Sequence, residues 1–133
     1  MIKAEINKQL IVSVENRIGA LAEATSIVAE SGINLIAVCA YVVGTTGFIA
    51  FVTEDNKKTA NILKSKKYDV REEEILLVSV DNKPGTLEEI TGKIASAGID
   101  LTFLYGSAEK KGKTTKLVIV SENNKLALAA IQS

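Results

Sequence analysis

The sequence predicts an α+β fold: two βαββαβ units in tandem, each an antiparallel sheet with helices on one face. Three observations carry this. Residues 12–35 (VSVENRIGALAEATSIVAESGINL) recur as 78–101 (VSVDNKPGTLEEITGKIASAGIDL), with 12 of 24 positions identical at an offset of 66. Residues 47–63 align with 115–131 at an offset of 68, so the repeat has the length of a small domain and not of a solenoid unit. Within each copy, alternating apolar runs and helical spacing follow one another as strand, helix, strand, strand, helix, strand.

The elements of the first copy follow in order. Residues 10–14 place Leu10, Val12 and Val14 on one strand face. A turn over residues 15–19 leads to a helix at 20–31, with Leu21, Ala24, Ile27 and Val28 on one side and Gly32 as its stop. Residues 33–43 and 47–53 form a hairpin around Gly44-Thr45-Thr46-Gly47. A second helix at 56–67 turns Ala60 and Leu63 inward and gathers Lys64, Lys66 and Lys67 at its C-terminal end, where the dipole favours cations. Residues 68–74 make a partly charged last strand, as sheet edges often are.

The second copy repeats the pattern. Its strand is 76–80, its turn 81–85, and its helix carries Leu87, Ile90 and Ile94 before Gly98. Pro84 suits a first helical turn, where its missing N–H costs nothing. The hairpin is 99–107 with 114–121, and the second helix 124–132. Nothing in this copy matches residues 66–75, so the division is 1–74 and 75–133, with a last strand lacking in the second domain. Residues 1–8 alternate Ile2, Ala4 and Ile6 with Lys3, Glu5 and Asn7, the pattern of a spare strand for that vacancy, within the chain or in a partner.

Composition removes several classes of function. Apolar residues make up 47% and charged ones 24%, which is globular. With 16 basic and 16 acidic residues, the chain is poorly suited to tracking a phosphate backbone, and no nucleic-acid partner is expected. There is no His to shuttle protons near neutrality. The lone Cys39 rules out an internal disulfide and a multi-cysteine metal site, and its apolar run (LIAVCAYVV) predicts a buried, inert thiol. Glu88–Glu89 and the run 72–74 read as a solvated helix face and a strand edge rather than as catalytic carboxylates. No phosphate loop is present, since Asn-x-x-Gly is not one. Phe48, Phe51 and Phe103 do not form an RNA-stacking platform. Together these argue against an enzyme, a metal site or a cofactor. The uncharged stretch 31–53 is long enough to span a membrane, but its counterpart 101–121 carries Glu109, Lys110, Lys111, Lys113 and Lys116. Both therefore read as hairpins, and no membrane partner is expected. With no signal peptide ahead of the first strand, a cytoplasmic location follows by default.

The recurring pattern is a strand, then (D/E)-N-(K/R)-x-G-x-L, an amphipathic helix, and G-I-(N/D)-L leading into the next strand. It resembles the ACT domain, a small regulatory ligand-binding module of ferredoxin-like fold, and the resemblance covers nearly the whole chain as a stand-alone tandem pair. The resemblance implies binding of an amino acid or similar metabolite where the strand-to-helix loop meets a neighbouring domain. Carried across by position, the first site is Asn16, Arg17, Ile18, Gly19, Ala20, Leu21 and Asn34. The second is Asn82, Lys83, Pro84, Gly85, Thr86, Leu87 and Asp100. The physics agrees: free N–H groups at a helix N-terminus suit a carboxylate, and glycine there admits a ligand to the backbone. A purely local reading also stands, in which the glycines permit a tight turn, Leu21 and Leu87 belong to the core, and Asn16 and Asn82 bond their own loop.

Two functions remain in view: a homodimeric small-molecule sensor, and a regulatory subunit acting by contact on a separate biosynthetic or acyl-activating enzyme. Two small sheets leave edges and apolar surface to cover, which favours a homo-oligomer.

Overall fold

The computed structural model describes residues 2–107 and 113–133. The elements are β1 (Ile2–Glu15), α1 (Ala20–Glu30), β2 (Leu35–Val43), β3 (Thr46–Thr53), α2 (Asn56–Ser65), β4 (Asp69–Asp81), α3 (Thr86–Ser96), β5 (Leu101–Gly106), β6 (Thr114–Ser121) and α4 (Asn124–Gln132). The chain divides into two compact units. One is Lys8–Glu73; the other joins Met1–Asn7 to Glu74–Ser133.

In the first-copy unit the strand order is β2-β3-β1-β4. β3 pairs antiparallel with β1 (Val12 opposite Ile49) and with β2 (Tyr41 opposite Phe48). Leu10 and Val12 alternate inward from β1 and meet Ile49 and Phe51 from β3, Ala24 and Val28 from α1, and Leu63 from α2. That single layer of apolar side chains between sheet and helices is what the period-2 and period-3.6 patterns specify. Leu21 departs from its expected core role: it is exposed at the start of α1, while Ala20, Ala24 and Val28 take the buried face.

The second-copy unit has the order β1-β4-β6-β5. β6 pairs antiparallel with β4 (Val78 opposite Leu117) and with β5 (Leu104 opposite Ile119). Leu76, Val78 and Val80 pack with Ile90 and Ile94 of α3 and with Ala127 and Ile131 of α4. Leu87, like Leu21, is exposed. The N-terminal residues supply the position that the alignment leaves vacant. Ile2 and Ala4 pack against this core, so residues 2–7 cluster with 74–133, whereas the sequence groups them with the first copy. The expected alternation holds at Ile2 and Ala4, with Lys3 and Glu5 turned to solvent, but not at Ile6, which is exposed.

The copies share small devices as well as elements. The pairing of the β2–β3 hairpin shifts register between Leu35 and Ala37, and that of β5–β6 between Leu101 and Phe103. Asn56 Oδ1 accepts from Thr53 N and Oγ1 at 2.9 and 2.8 Å, while its Nδ2 donates to the Lys8 carbonyl at 2.8 Å. Asn124 does the same with Ser121 N and Oγ, both at 2.9 Å, and the Glu74 carbonyl at 3.1 Å. Each amide locks the start of the unit's second helix to the strand that begins the repeat. Asp55 and Asn123 cap those helices by accepting from the amides of Lys58 and Leu126. Cys39 is half-buried rather than enclosed. No helix among the described residues is long and apolar enough to cross a membrane.

Candidate functional site

The two strand-to-helix loops are built alike. Gly19 (φ 87°) and Gly85 (φ 91°) hold the N-cap positions of α1 and α3 in the left-handed region, which glycine adopts without a Cβ penalty. A glycine cap has no side chain to offer the helix, and neither helix has a side-chain cap hydrogen bond. The Ala20 amide reaches back to the Arg17 carbonyl at 3.2 Å and the Thr86 amide to the Lys83 carbonyl at 3.3 Å. The first ordinary helical bonds run from Glu23 and Glu89 to the glycine carbonyls, at 2.9 Å each. The amides in between, of Leu21 and Ala22 and of Leu87 and Glu88, have no acceptor within their helices. They point at the loop with the positive end of the helix dipole behind them, an arrangement chemically suited to a carboxylate.

Each loop is tied to the hairpin beside it. The Asn16 amide donates to the Thr45 carbonyl at 3.0 Å, and the Asn82 amide to the Lys113 carbonyl at 2.8 Å. The first loop has an additional side-chain network. Arg17 donates to Glu23 Oε2 at 2.9 Å, and the Tyr68 hydroxyl donates to Glu23 Oε1. The Tyr68 hydroxyl, and after it Arg17, hold the Glu23 carboxyl below the usual range, and Glu23 in turn raises the pKa of Arg17.

The structure brings part of each expected set together. In the first copy Asn16, Arg17, Ala20 and Leu21 line a pocket of about 180 Å³ with Tyr41 and Phe48. Their rings stack on each other, centroids 5.5 Å apart, on the sheet face opposite to that of Ala40 and Ile49. Gly19 shapes the turn, and Ile18 projects fully into solvent. In the second copy Lys83, Pro84, Gly85 and Thr86 line a larger cleft of about 570 Å³ with Glu89 and Lys93. Lys93 Nζ donates to the Ile131 and Ser133 carbonyls at 3.3 and 2.9 Å, closing that cleft on the α4 side. Asn82 is half-buried and Leu87 exposed at the edge of the loop.

Asn34 and Asp100 are not part of these clusters. Each follows an 11-residue helix, so it lies about 16 Å along the helix axis from the loop of its own copy. The Asn34 carbonyl accepts from the Glu54 amide at 3.1 Å, and the Asp100 amide donates to Glu122 Oε1 at 3.1 Å. Sequence reasoning passes over the hairpin residues Tyr41, Gly47 and Phe48, which line the first pocket. The available signal is the contrast between copies, since Gly47 aligns with Thr115 and Phe48 with Lys116.

Comparison with curated protein sequences gives no match. Among solved structures, a Bacteroides thetaiotaomicron protein, BT0572, is similar at 26% identity over 97% of this chain and 88% of that one, with a TM-score of 0.89. The ligand-free regulatory subunit of aspartate kinase from Thermus thermophilus matches at 18% identity over 98% of this chain and 94% of its own, with a TM-score of 0.67. A structure of aspartokinase alpha and beta subunits matches at 19% identity over 97% and 94%, also at 0.67. The last two show a shared fold. The family model described as the ACT domain pair matches residues 5–131, and the chain accordingly belongs to the ACT domain pair family.

Proposed function

We propose that this chain is a non-catalytic regulatory protein that binds a small molecule, of the amino-acid class, at the strand-to-helix loops of paired ACT domains. The observation that carries the reading is the pair of uncapped helix starts behind Gly19 and Gly85. Each leaves two backbone donors aimed at a loop, as a carboxylate requires. Asn34 and Asp100, remote from the loops of their own copies, would serve a ligand only from a neighbouring domain. The shared fold with aspartate kinase regulatory subunits supports a regulatory role. The protein would act in the cytoplasm as a homodimer.

The test is a thermal-shift screen of the full chain against the twenty amino acids. A ligand present at 100 times its dissociation constant adds about 2.7 kcal/mol of stability. A raised midpoint that Gly19→Val or Gly85→Val abolishes, in a variant that still folds, supports the reading. No shift with any amino acid contradicts it.

A second reading is a regulatory subunit working by contact with a separate biosynthetic or acyl-activating enzyme. The strand β2 favours it: it ends the order of its unit, carries no charge, and exposes Val38, Val42 and Val43. Uncharged edge strands of this kind invite pairing. Affinity purification of the tagged chain from its source, with identification of any enzyme retained at fixed stoichiometry, separates this reading from the first.

A further inference from the structure

We infer that the space between helix start and hairpin, open as a pocket in the first copy, is filled in the second, whose cleft opens towards α4 instead, and that the first-copy pocket selects a ligand with a small apolar group. This rests on the ligand-binding reading above and names which copy binds and what it accepts.

The inference comes from comparing equivalent positions. In the first copy the pocket is lined by Ala20 at the start of α1, Ala40 on β2 and Gly47 on β3. All three are small, and the space between them is what the cavity occupies. In the second copy the corresponding residues are Thr86, Gly106 and Thr115. Thr86 and Thr115 are 9% and 7% exposed, so both side chains fill interior space. Gly106 leaves no room either. A Cβ placed there would lie 2.4 Å from Leu117 Cδ2 and 2.9 Å from the Lys116 carbonyl oxygen. The leucine has therefore moved into the region that Ala40 lines in the first copy.

Polarity diverges in the same direction. The hydroxyls of Thr86 and Thr115 are buried with no partner among the described residues. Unpaired hydroxyls make a poor lining for an apolar group. In the first pocket Ala20 and Gly47 stand where these hydroxyls are, and Val14, Ala20, Leu21 and Ile49 supply apolar surface beside Glu15, Asn16 and Arg17.

Volume narrows the ligand. A pocket of about 180 Å³ is too small to enclose a dinucleotide or a long acyl chain. An apolar protein cavity of roughly 150 Å³ accommodates benzene. A branched aliphatic or single-ring side chain fits against Val14, Ala20, Ala40 and Ile49, where a charged one would lose its hydration.

Calorimetry of the full chain decides the matter, with L-valine, L-leucine and L-phenylalanine as apolar probes and L-aspartate and L-lysine as charged ones. The expected result is binding of at least one apolar probe at one site per chain. The double variant Ala20→Thr/Gly47→Thr, which installs the second copy's residues in the first, should lower its affinity at least tenfold. Thr115→Gly, outside both loops, should leave it within about twofold. Melting curves check folding, and Ala20→Thr alone serves if the double variant does not fold. Two equal sites per chain, or apolar binding indifferent to the first-copy substitutions, overturns the inference. So does binding confined to aspartate or lysine and lost in Gly85→Val, which would leave the broader ligand-binding reading intact. Silence from all three apolar probes also overturns it, and the twenty-amino-acid screen then decides the broader reading alone.

Discussion

The Tyr68 hydroxyl donates a hydrogen bond to Glu23 Oε1 across 45 residues of sequence. Arg17 takes the other oxygen of the same carboxylate at 2.9 Å. The residue leading into β4 thus fixes a residue of α1, and through it the loop before α1. Because Arg17 also lines the first pocket, this network sets the position of a cation at the candidate site.

The network should be visible as a pH dependence. Glu23 is held below its ordinary value of 4.5. A depressed carboxylate contributes stability above its unfolded pKa, and the contribution is lost as pH falls through the folded value. Tyr68→Phe removes the first cause of the depression. The Glu23 pKa, followed by carboxyl NMR, should rise towards 4.5 in that variant. The stability gap between wild type and variant should be present at neutral pH and narrow below the range of the unfolded carboxylate. An unchanged Glu23 titration would show that the hydrogen bond is not maintained in solution.

Gly19 and Gly85 carry a conformational requirement and no steric one. A Cβ at either would meet nothing within 4 Å, yet both lie at positive φ. Gly19→Ala and Gly85→Ala should each destabilise by about 1–2 kcal/mol, the cost of placing an L-residue in the left-handed region. Asparagine, which tolerates that region better, should cost less at both sites. Urea unfolding measures each.

How much of this was legible in advance follows from local rules. Helices α1 through α4 lie within two residues of where periodicity, capping residues and the repeat put them. The strands were less legible. Periodicity separates 1–8 from 10–14 and 68–74 from 76–80, yet β1 and β4 run unbroken through both junctions. The polar residues that interrupt the alternation satisfy each other: Gln9, fully buried, donates through Nε2 to Glu73 Oε1 at 2.8 Å. A pairing across 64 residues leaves no trace in a local window. The loop glycines were legible from the repeat, whereas Tyr41 and Phe48 join the pocket through hairpin register.

The amide clamps should be unequal. Asn124 is buried and Asn56 only half-buried, although they make matching bonds. Removing a buried group leaves its partners unsatisfied at about 1–3 kcal/mol. Asn124→Ala should fall in the upper part of that range and Asn56→Ala in the lower, as measured by chemical denaturation.

Residues 2–7 should stabilise the second-copy unit selectively. Deleting them removes Ile2 and Ala4 from the core that contains Val78, Ile90 and Ile131. Hydrogen exchange of the shortened chain should accelerate in β4 over residues 74–81 and in α3. Exchange in α1 and α2 should change little. Uniform acceleration through both units would mean that the N-terminal strand supports the whole chain equally.

The central claim is that a small molecule binds at the strand-to-helix loops. Its most direct test is a two-dimensional amide NMR titration of the isotopically labelled chain with whichever amino acid raises its melting point. The account predicts that the largest shift changes fall on residues 16–22 or 82–88, with the amides of Leu21 and Ala22 or of Leu87 and Glu88 moving downfield as they gain an acceptor. Changes confined to α2 and α4, with both loops unmoved, would contradict it.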